Sequence, residues 1–476
     1  MRILSLASEI AHAIQRHAKS DAVVSKDGTI NYFQLKYLSI CFQEFAQQQG
    51  LSSNDVIAYC GSNSRDRLAF FLGGLLGAYI PALLPISSGS PFLDTFLFSI
   101  DAKMLISEVT EASSIPQWTP TDAKRSSSGT MIVQDRSVSH ISFTSGTLGH
   151  PRIIHVSADA VLEFCDWFCH YIPLSSNDRW AEPGNITSDL AITNTILRFF
   201  CGAAFIDVST EDFPRLSSHF AENRVSIVRS TPRAAEILLA SNRRRQLKTT
   251  ALRLIGFGGD QLTSNTVFRM MNELSGDITF INTYGKAEIA GILSIYCWER
   301  GAKFAQYDGC VSVGQFVPGV EAESGVSFCD SSELVVQSRR NAILIKNLLS
   351  GEIIQTERKT KSAMATGDLV RKYDEFLYVV GRVDREVTRH GYQVNLDKLG
   401  TIVSELLKER SAAVLIKERL ILLVEAPPDV DVKTILSSMM PYYLVPDKVI
   451  FEKQLPVNRS GKIDINQCKI IAESAI

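Results

Sequence analysis

Ile141–Arg152 reads ISFTSGTLGHPR, and the reading of the whole chain turns on it. A short apolar run gives way to Thr144, Ser145, Gly146, Thr147 and Gly149, followed by Pro151 and Arg152. Glycines let backbone N–H groups approach an anion closely, hydroxyls add further donors, and Arg152 supplies a countercharge. The pattern suits a loop that wraps a polyanion. It is not the Walker phosphate loop, because no GxxxxGK[ST] sequence occurs in the chain. Taken alone, the same composition also suits a surface turn, so the rest of the chain has to separate the two readings.

The totals narrow the class. A chain of 476 residues holds two or more domains and can bury a large core. Hydrophobic residues at 45% and charged residues at 21% describe a globular protein, and a net charge of -2 gives no basis for binding nucleic acid or an acidic membrane. The nine cysteines form no CxxC pair, which reads as reduced thiols in a cytoplasmic protein rather than a disulfide framework or zinc site. Glu9 and His12 interrupt the apolar N-terminus, which fits an amphipathic helix better than a signal peptide. Leu68–Ile86 carries no charge and is long enough to span a bilayer. Its glycines and prolines instead suit a buried helix leading into a buried strand.

Short β-rich runs alternate with helical stretches over most of the chain. Asp55–Cys60, Met104–Ser107, Ala204–Val208, Ile227–Arg229, Arg253–Phe257 and Ile278–Asn282 read as strands; Ala158–Cys169 and Pro232–Ser241 read as helices. The alternation predicts an α/β protein with sheets covered by helices. Gly309–Gln337, with short extended runs between Gly, Pro and Ser, predicts a β-rich subdomain. The pattern changes near Val383, which sets the expected division: a large N-terminal domain, 1–382, and a small α+β C-terminal domain, 383–476.

Four more stretches carry chemistry-bearing residues. Asn282–Glu288, NTYGKAE, places a ring that can stack on a base close to a carboxylate that can hold Mg²⁺. Thr366-Gly367-Asp368 puts an aspartate on a tight turn, where it can accept ribose hydroxyls. Gly381–Gly391, GRVDREVTRHG, alternates charges, and Leu455–Asp464 sets Lys462 after Gly461 on a loop. Each is commonplace alone: a loop, a chance tripeptide, a solvated turn, a surface lysine.

Together and in this order, the stretches resemble the adenylate-forming (ANL) superfamily of acyl-activating enzymes. INYFQL at 30–35 and LLGAYIPALLPI at 75–86 resemble its early motifs, and the other stretches its phosphate loop, adenine and magnesium motif, ribose aspartate, hinge and catalytic-lysine loop. The resemblance implies a large domain with a mobile lid of about a hundred residues, ATP and Mg²⁺ as cofactors, and two half-reactions. It implies Lys462 and Glu288 as catalytic residues, with Glu288 also the metal ligand. Thr144, Ser145, Gly146 and Thr147 would hold phosphates; Asn282, Thr283, Tyr284 and Gly285 the adenine; Asp368 and Arg382 the ribose. Asp384 would be the hinge.

Asp189 stands thirteen residues before Gly202, which resembles the amino-acid-activating branch, where such an aspartate pairs with the substrate ammonium. Ser188 or Asp189 could equally cap the helix that follows. Leu190, Thr193, Gly256, Gly258, Gly291 and Ile292 would line the rest of the substrate pocket, and its glycines lead us to expect room for a side chain larger than alanine. The resemblance is nearest to stand-alone amino-acid adenylation enzymes such as D-alanine–carrier-protein ligases. It implies an amino acid substrate and a separate phosphopantetheinylated carrier protein. An acyl- or aryl-CoA ligase using CoA, and a non-catalytic nucleotide-binding homologue, are the alternatives. Arg152 replaces the usual lysine, Lys286 and Ala287 replace the usual proline and threonine, and Thr388 replaces a frequent lysine. Lys286 is expected to serve as a cation near the α-phosphate.

Overall fold

The computed structural model describes residues 4–85, 90, 92–109, 113–123, 129–144, 152–242, 247, 250–323, 331–348, 350–356, 363–389, 392–426, 432–439, 444–458 and 461–475. Two large sheets dominate these residues. One runs in the order Gln315–Phe316, Ser294–Glu299, Thr279–Tyr284, Leu254–Gly258, Ile227–Ser230, Arg179–Ala181, Ala204–Ile206, Asp21–Ser25 and Gly28–Asn31. Its central pairs are parallel, and its outermost pairs at either end antiparallel. The other has Arg152–Ser157, Val138–Thr144, Ile80–Leu83 and Val56–Cys60 at its centre. Val56–Cys60 is buried along its whole length, as a parallel strand covered on both faces must be.

The uncharged stretch from Leu68 resolves as expected into a helix, Ser64–Leu75, and a buried strand, Ile80–Leu83. Among the described residues no helix is long and apolar enough to cross a membrane. The alternating N-terminus forms the helix Leu6–Arg16, which buries Leu6, Ile10 and Ile14. A third sheet contains Val320–Ala322, Ser332–Ser338, Ala363–Tyr373 and Phe376–Arg382. It takes up part of the expected β-rich stretch, but its pairing brings in the later strands, so the TGD turn hangs from this sheet.

Beyond Arg382, the hairpin Glu386–Arg389/Tyr392–Asn395, the helix Leu396–Leu407 and the sheet of Ser411–Ile416, Arg419–Val424 and Lys448–Phe451 enclose their own apolar clusters. This unit touches the body through polar contacts: Lys398 Nζ to Asp308 Oδ2 at 2.7 Å and the Thr401 hydroxyl to Gln261 Oε1 at 2.8 Å. The first of these is an exposed ion pair and weakly held, whereas the body is built on large apolar clusters.

The helix Asp189–Cys201 is fixed at both ends. Ser188 caps its first turn by accepting from the Ala191 amide, and Gly202 ends it in the left-handed conformation at φ +73°. A Cβ at Gly202 would lie 2.3 Å from His17 Cγ. Gly202→Ala is therefore expected to cost about 2 kcal/mol or more, from strained backbone and overpacking together. A urea titration reads this as a lower midpoint with an unchanged slope; an unchanged midpoint would show that the helix end can shift.

Candidate active site

The site lies at the carboxyl ends of Ile227–Ser230, Leu254–Gly258 and Thr279–Tyr284, where ligands bind in open parallel sheets. The two large sheets meet here. After Tyr284 the chain is clamped to the approach of the strand Leu344–Asn347, with Ala290 N–H donating to Arg340 O and Ala342 N–H to Glu288 O. Arg152, paired opposite Thr144 across the hairpin, donates to Glu288 Oε1 at 2.9 Å. The carboxylate assigned to magnesium and the arginine closing the phosphate loop thus already face each other. The Thr144 hydroxyl is buried with no partner, an open donor at the start of that loop. Ser145, Gly146 and Thr147 lie outside the described residues.

The TGD turn holds Asp368 in place. Thr366 Oγ1 donates to Leu334 O at 2.8 Å, Gly367 adopts φ +72°, and the Asp368 amide donates to Thr366 Oγ1 at 3.2 Å. Asp368 then collects three donors: Tyr284 Oη at 2.6 Å and Lys286 Nζ at 3.0 Å on Oδ2, and Arg382 at 2.6 Å on Oδ1. Burial and the adjoining carboxylate push the Tyr284 phenol well above its ordinary pKa, so it keeps its proton and donates the hydrogen bond to Asp368. Arg382 also reaches Asp384 at 3.0 Å, tying the expected hinge to the ribose carboxylate. Asn282 is anchored by its amide, which donates to Ser312 O at 2.9 Å. Gly285 is required for packing, because a Cβ there would meet Gly291 O at 2.8 Å.

Lys286, expected near the α-phosphate, pairs here with Asp368, the carboxylate expected to hold the ribose. An ammonium there competes with ribose hydroxyls for one carboxylate oxygen. Lys286→Ala is expected to tighten adenosine binding several-fold in calorimetry. Weaker binding of ATP together with unchanged binding of adenosine would restore the phosphate role.

Asp189 is freed from capping by its neighbour Ser188, and it lines a small cavity with Thr193, Gly291, Phe164, Cys165 and His140. Surrounding protein and the Glu288 charge push its carboxyl up to about 7, with Arg229 and the Ser142 hydroxyl pulling the other way. Because the folded pKa is raised, the unfolded chain loses this proton first, so ionising Asp189 lowers stability as pH rises from the ordinary aspartate range towards about 7. Binding of an ammonium runs the other way, since it requires the ionised form. For an amine-bearing substrate, kcat/KM is expected to climb with pH through about 7, and Asp189→Asn to remove that limb. A flat wild-type profile would count against it.

The glycines among the remaining pocket positions have close neighbours within the protein: a Cβ at Gly256 would meet Arg229 Cγ at 2.7 Å, at Gly258 Thr283 Oγ1 at 2.7 Å, and at Gly291 Phe164 at 2.3 Å. These glycines let the protein's own side chains pack closely. Leu190 lies against the same wall, 3.6 Å from a Cβ at Gly258, while Ile292 is buried in the main core. Arg229, Phe164, Cys165 and His140 escaped the sequence reading. A charged residue inside the apolar run VSIVRS was the one available signal, and it pointed only at Arg229.

Lys462 stands on a tight hairpin. Its amide donates to Asn458 Oδ1 at 3.1 Å and the Asn458 amide donates back to Lys462 O at 2.8 Å. The hairpin rests on the body next to Arg233, where a Cβ at Gly461 would lie 3.8 Å from Arg233 Cγ. Arg233 begins the helix Pro232–Ser241, directly after the strand that carries Arg229. The C-terminal unit thus brings its lysine loop to the carboxyl edge of the sheet.

The sequence profile of the family described as AMP-binding enzyme matches residues 10–323. The chain belongs to this family: it is an adenylate-forming enzyme with the ANL fold. Among curated relatives, the D-alanine–D-alanyl carrier protein ligase of Bacillus licheniformis is 25% identical over 69% of this chain and 70% of the ligase. Surfactin synthase subunit 2 of Bacillus subtilis is 23% identical over 95% of this chain, which spans 13% of that much longer protein. Among solved structures, the anthranilate CoA ligase AuaEII in complex with anthranoyl-AMP superposes with a TM-score of 0.84 at 16% identity, covering 99% of this chain and 98% of that one.

Proposed function

We propose that this protein adenylates an amino acid and passes the aminoacyl group to the phosphopantetheine thiol of a separate carrier protein. Asp189 carries the reading. A half-buried carboxylate released from capping and facing a cavity is suited to a cation, and a substrate ammonium supplies one. An acyl- or aryl-CoA ligase would leave that carboxylate without a task.

In the first half-reaction a substrate carboxylate oxygen attacks the α-phosphorus of ATP, the bond to the β-phosphate oxygen breaks, and pyrophosphate leaves. Asp368 and Arg382 hold the ribose, Tyr284 offers its ring to the adenine, and Thr144 starts the loop around the leaving phosphates. The donor set fits a magnesium ion, because Glu288 is a buried carboxylate beside the phosphate loop whose present partner is a single arginine. Bound there, the ion would neutralise phosphate charge. Lys462 would stabilise the charge that grows between the carboxylate and the α-phosphate. In the second half-reaction the carrier thiolate attacks the acyl carbon and AMP leaves.

We propose the division at 382/383 for the lid that moves between these steps, with Asp384 as pivot; its contacts with the body include the hydrogen bonds of Lys398 to Asp308 and of Thr401 to Gln261. The test is transfer: holo carrier protein should be loaded at least tenfold faster than free CoA is acylated. Preference for CoA would favour the ligase alternative.

A further inference from the structure

The side chain that the site leaves unexplained is Arg229. It is fully buried on a strand one position short of the pocket mouth. Its guanidinium donates to Asn194 Oδ1 at 2.5 Å and, at 3.4 Å, to Thr283 Oγ1, while Nε has no partner at all. Its cationic centre lies 5.3 Å from the centre of the Phe168 ring. Among the described residues no carboxylate comes within 4.0 Å of it: Glu182, the nearest acid in this network, is bonded to Arg198 at 3.1 Å and to the Asn194 amide at 2.6 Å. Its hydrogen bonds go only to neutral oxygens, and Glu182 and Asp189 act on its charge only from beyond ion-pair distance, a costly state for a buried cation. Proteins hold such a group where its counter-charge arrives with a ligand.

The surroundings say which ligand. Arg229 passes directly over Gly256, and its far end meets Thr283, the residue whose hydroxyl stands over Gly258. Gly256, Gly258 and Thr283 are the positions that the family resemblance assigns to the ligand site, and the charge of Arg229 is felt at Asp189. Charge counting points the same way. Arg152 balances Glu288, and Arg198 balances Glu182. What remains is Asp189 and Arg229, one charge of each sign, too far apart to form an ion pair. A substrate ammonium on Asp189 leaves the cation of Arg229 in excess. A second carboxylate on the substrate restores neutrality and gives the planar guanidinium the partner it suits best.

The geometry points to a dicarboxylic amino acid as substrate, its ammonium on Asp189 and its side-chain carboxylate on Arg229. This inference rests on the amino-acid reading and adds the chemical class of the side chain.

The experiment is ATP–pyrophosphate exchange with L- and D-aspartate and glutamate, their amides asparagine and glutamine, and alanine and leucine. Wild type is expected to run at least a hundredfold better on one of the acids than on its amide. Arg229→Gln should abolish that preference, losing the acid by a hundredfold or more while the amide holds or gains. Arg229→Lys should retain part of the preference for the acid. Removing a buried cation can also unfold the site, so thermal unfolding and AMP binding are measured on each variant. If Arg229→Gln does not fold, the wild-type ratio of acid to amide decides alone. A wild-type preference for a neutral amino acid overturns this inference and leaves amino-acid adenylation standing; exchange with none of the panel overturns both.

Discussion

Lys462→Ala is expected to lower amino-acid-dependent pyrophosphate exchange by about a hundredfold to a thousandfold, the usual cost of losing one stabiliser of transition-state charge. The reason lies in how the lysine is presented. Asn458 closes a hairpin around it, and the hairpin seats beside Arg233 at the edge of the sheet that carries the pocket. The variant touches no core residue, so the fold and ATP binding should survive. A separate readout excludes simple disruption: transfer from a synthetic aminoacyl-adenylate to the thiol should stay within a few-fold of wild type, because the α-phosphate bond is already made. Equal loss in both half-reactions would show that Lys462 holds the lid rather than the charge.

Asp189→Ala should cost at least a hundredfold in kcat/KM for an amino acid and leave ATP affinity unchanged. Ser188 keeps the cap of the helix, so the substitution removes a charge and not a helix end; a drop in stability with unchanged specificity would point back to a structural role. Because the carboxyl already sits near neutrality when no cation is present, its loss should relieve strain in the empty protein. The variant is therefore expected to be slightly more stable than wild type at pH 8. Activity and stability moving in opposite directions is the signature of a binding group held against its own preference.

The class of fold was legible because strand and helix patterns depend on local chemistry. Val56–Cys60 is apolar throughout because it is covered on both faces, and the uncharged stretch from Leu68 turns from buried helix to buried strand around the left-handed Gly77. The motifs singled out their candidate residues for a different reason: local backbone demands, such as the left-handed Gly367 before Asp368. What stayed hidden was pairing. Nothing in NTYGKAE says that Lys286 would fold back onto Asp368, or that Arg152 would meet Glu288 across the junction of two sheets. Nor could spacing separate Ser188 from Asp189 as the cap, since both suit the position. Glycine was an ambiguous signal. It marks close approach, but the sequence does not say by what; here Arg229, Thr283 and Phe164 come close to three of these glycines.

The central claim, that this chain activates an amino acid as its adenylate, is tested most directly by amino-acid-dependent ATP–pyrophosphate exchange over a broad panel including D- and β-amino acids, with Lys462→Ala alongside. The account predicts exchange with one or a few amino acids, acidic ones foremost, and its loss in the variant. ATP bound with no exchange for any amino acid, while fatty or aryl acids or no acid at all gave turnover, would contradict it.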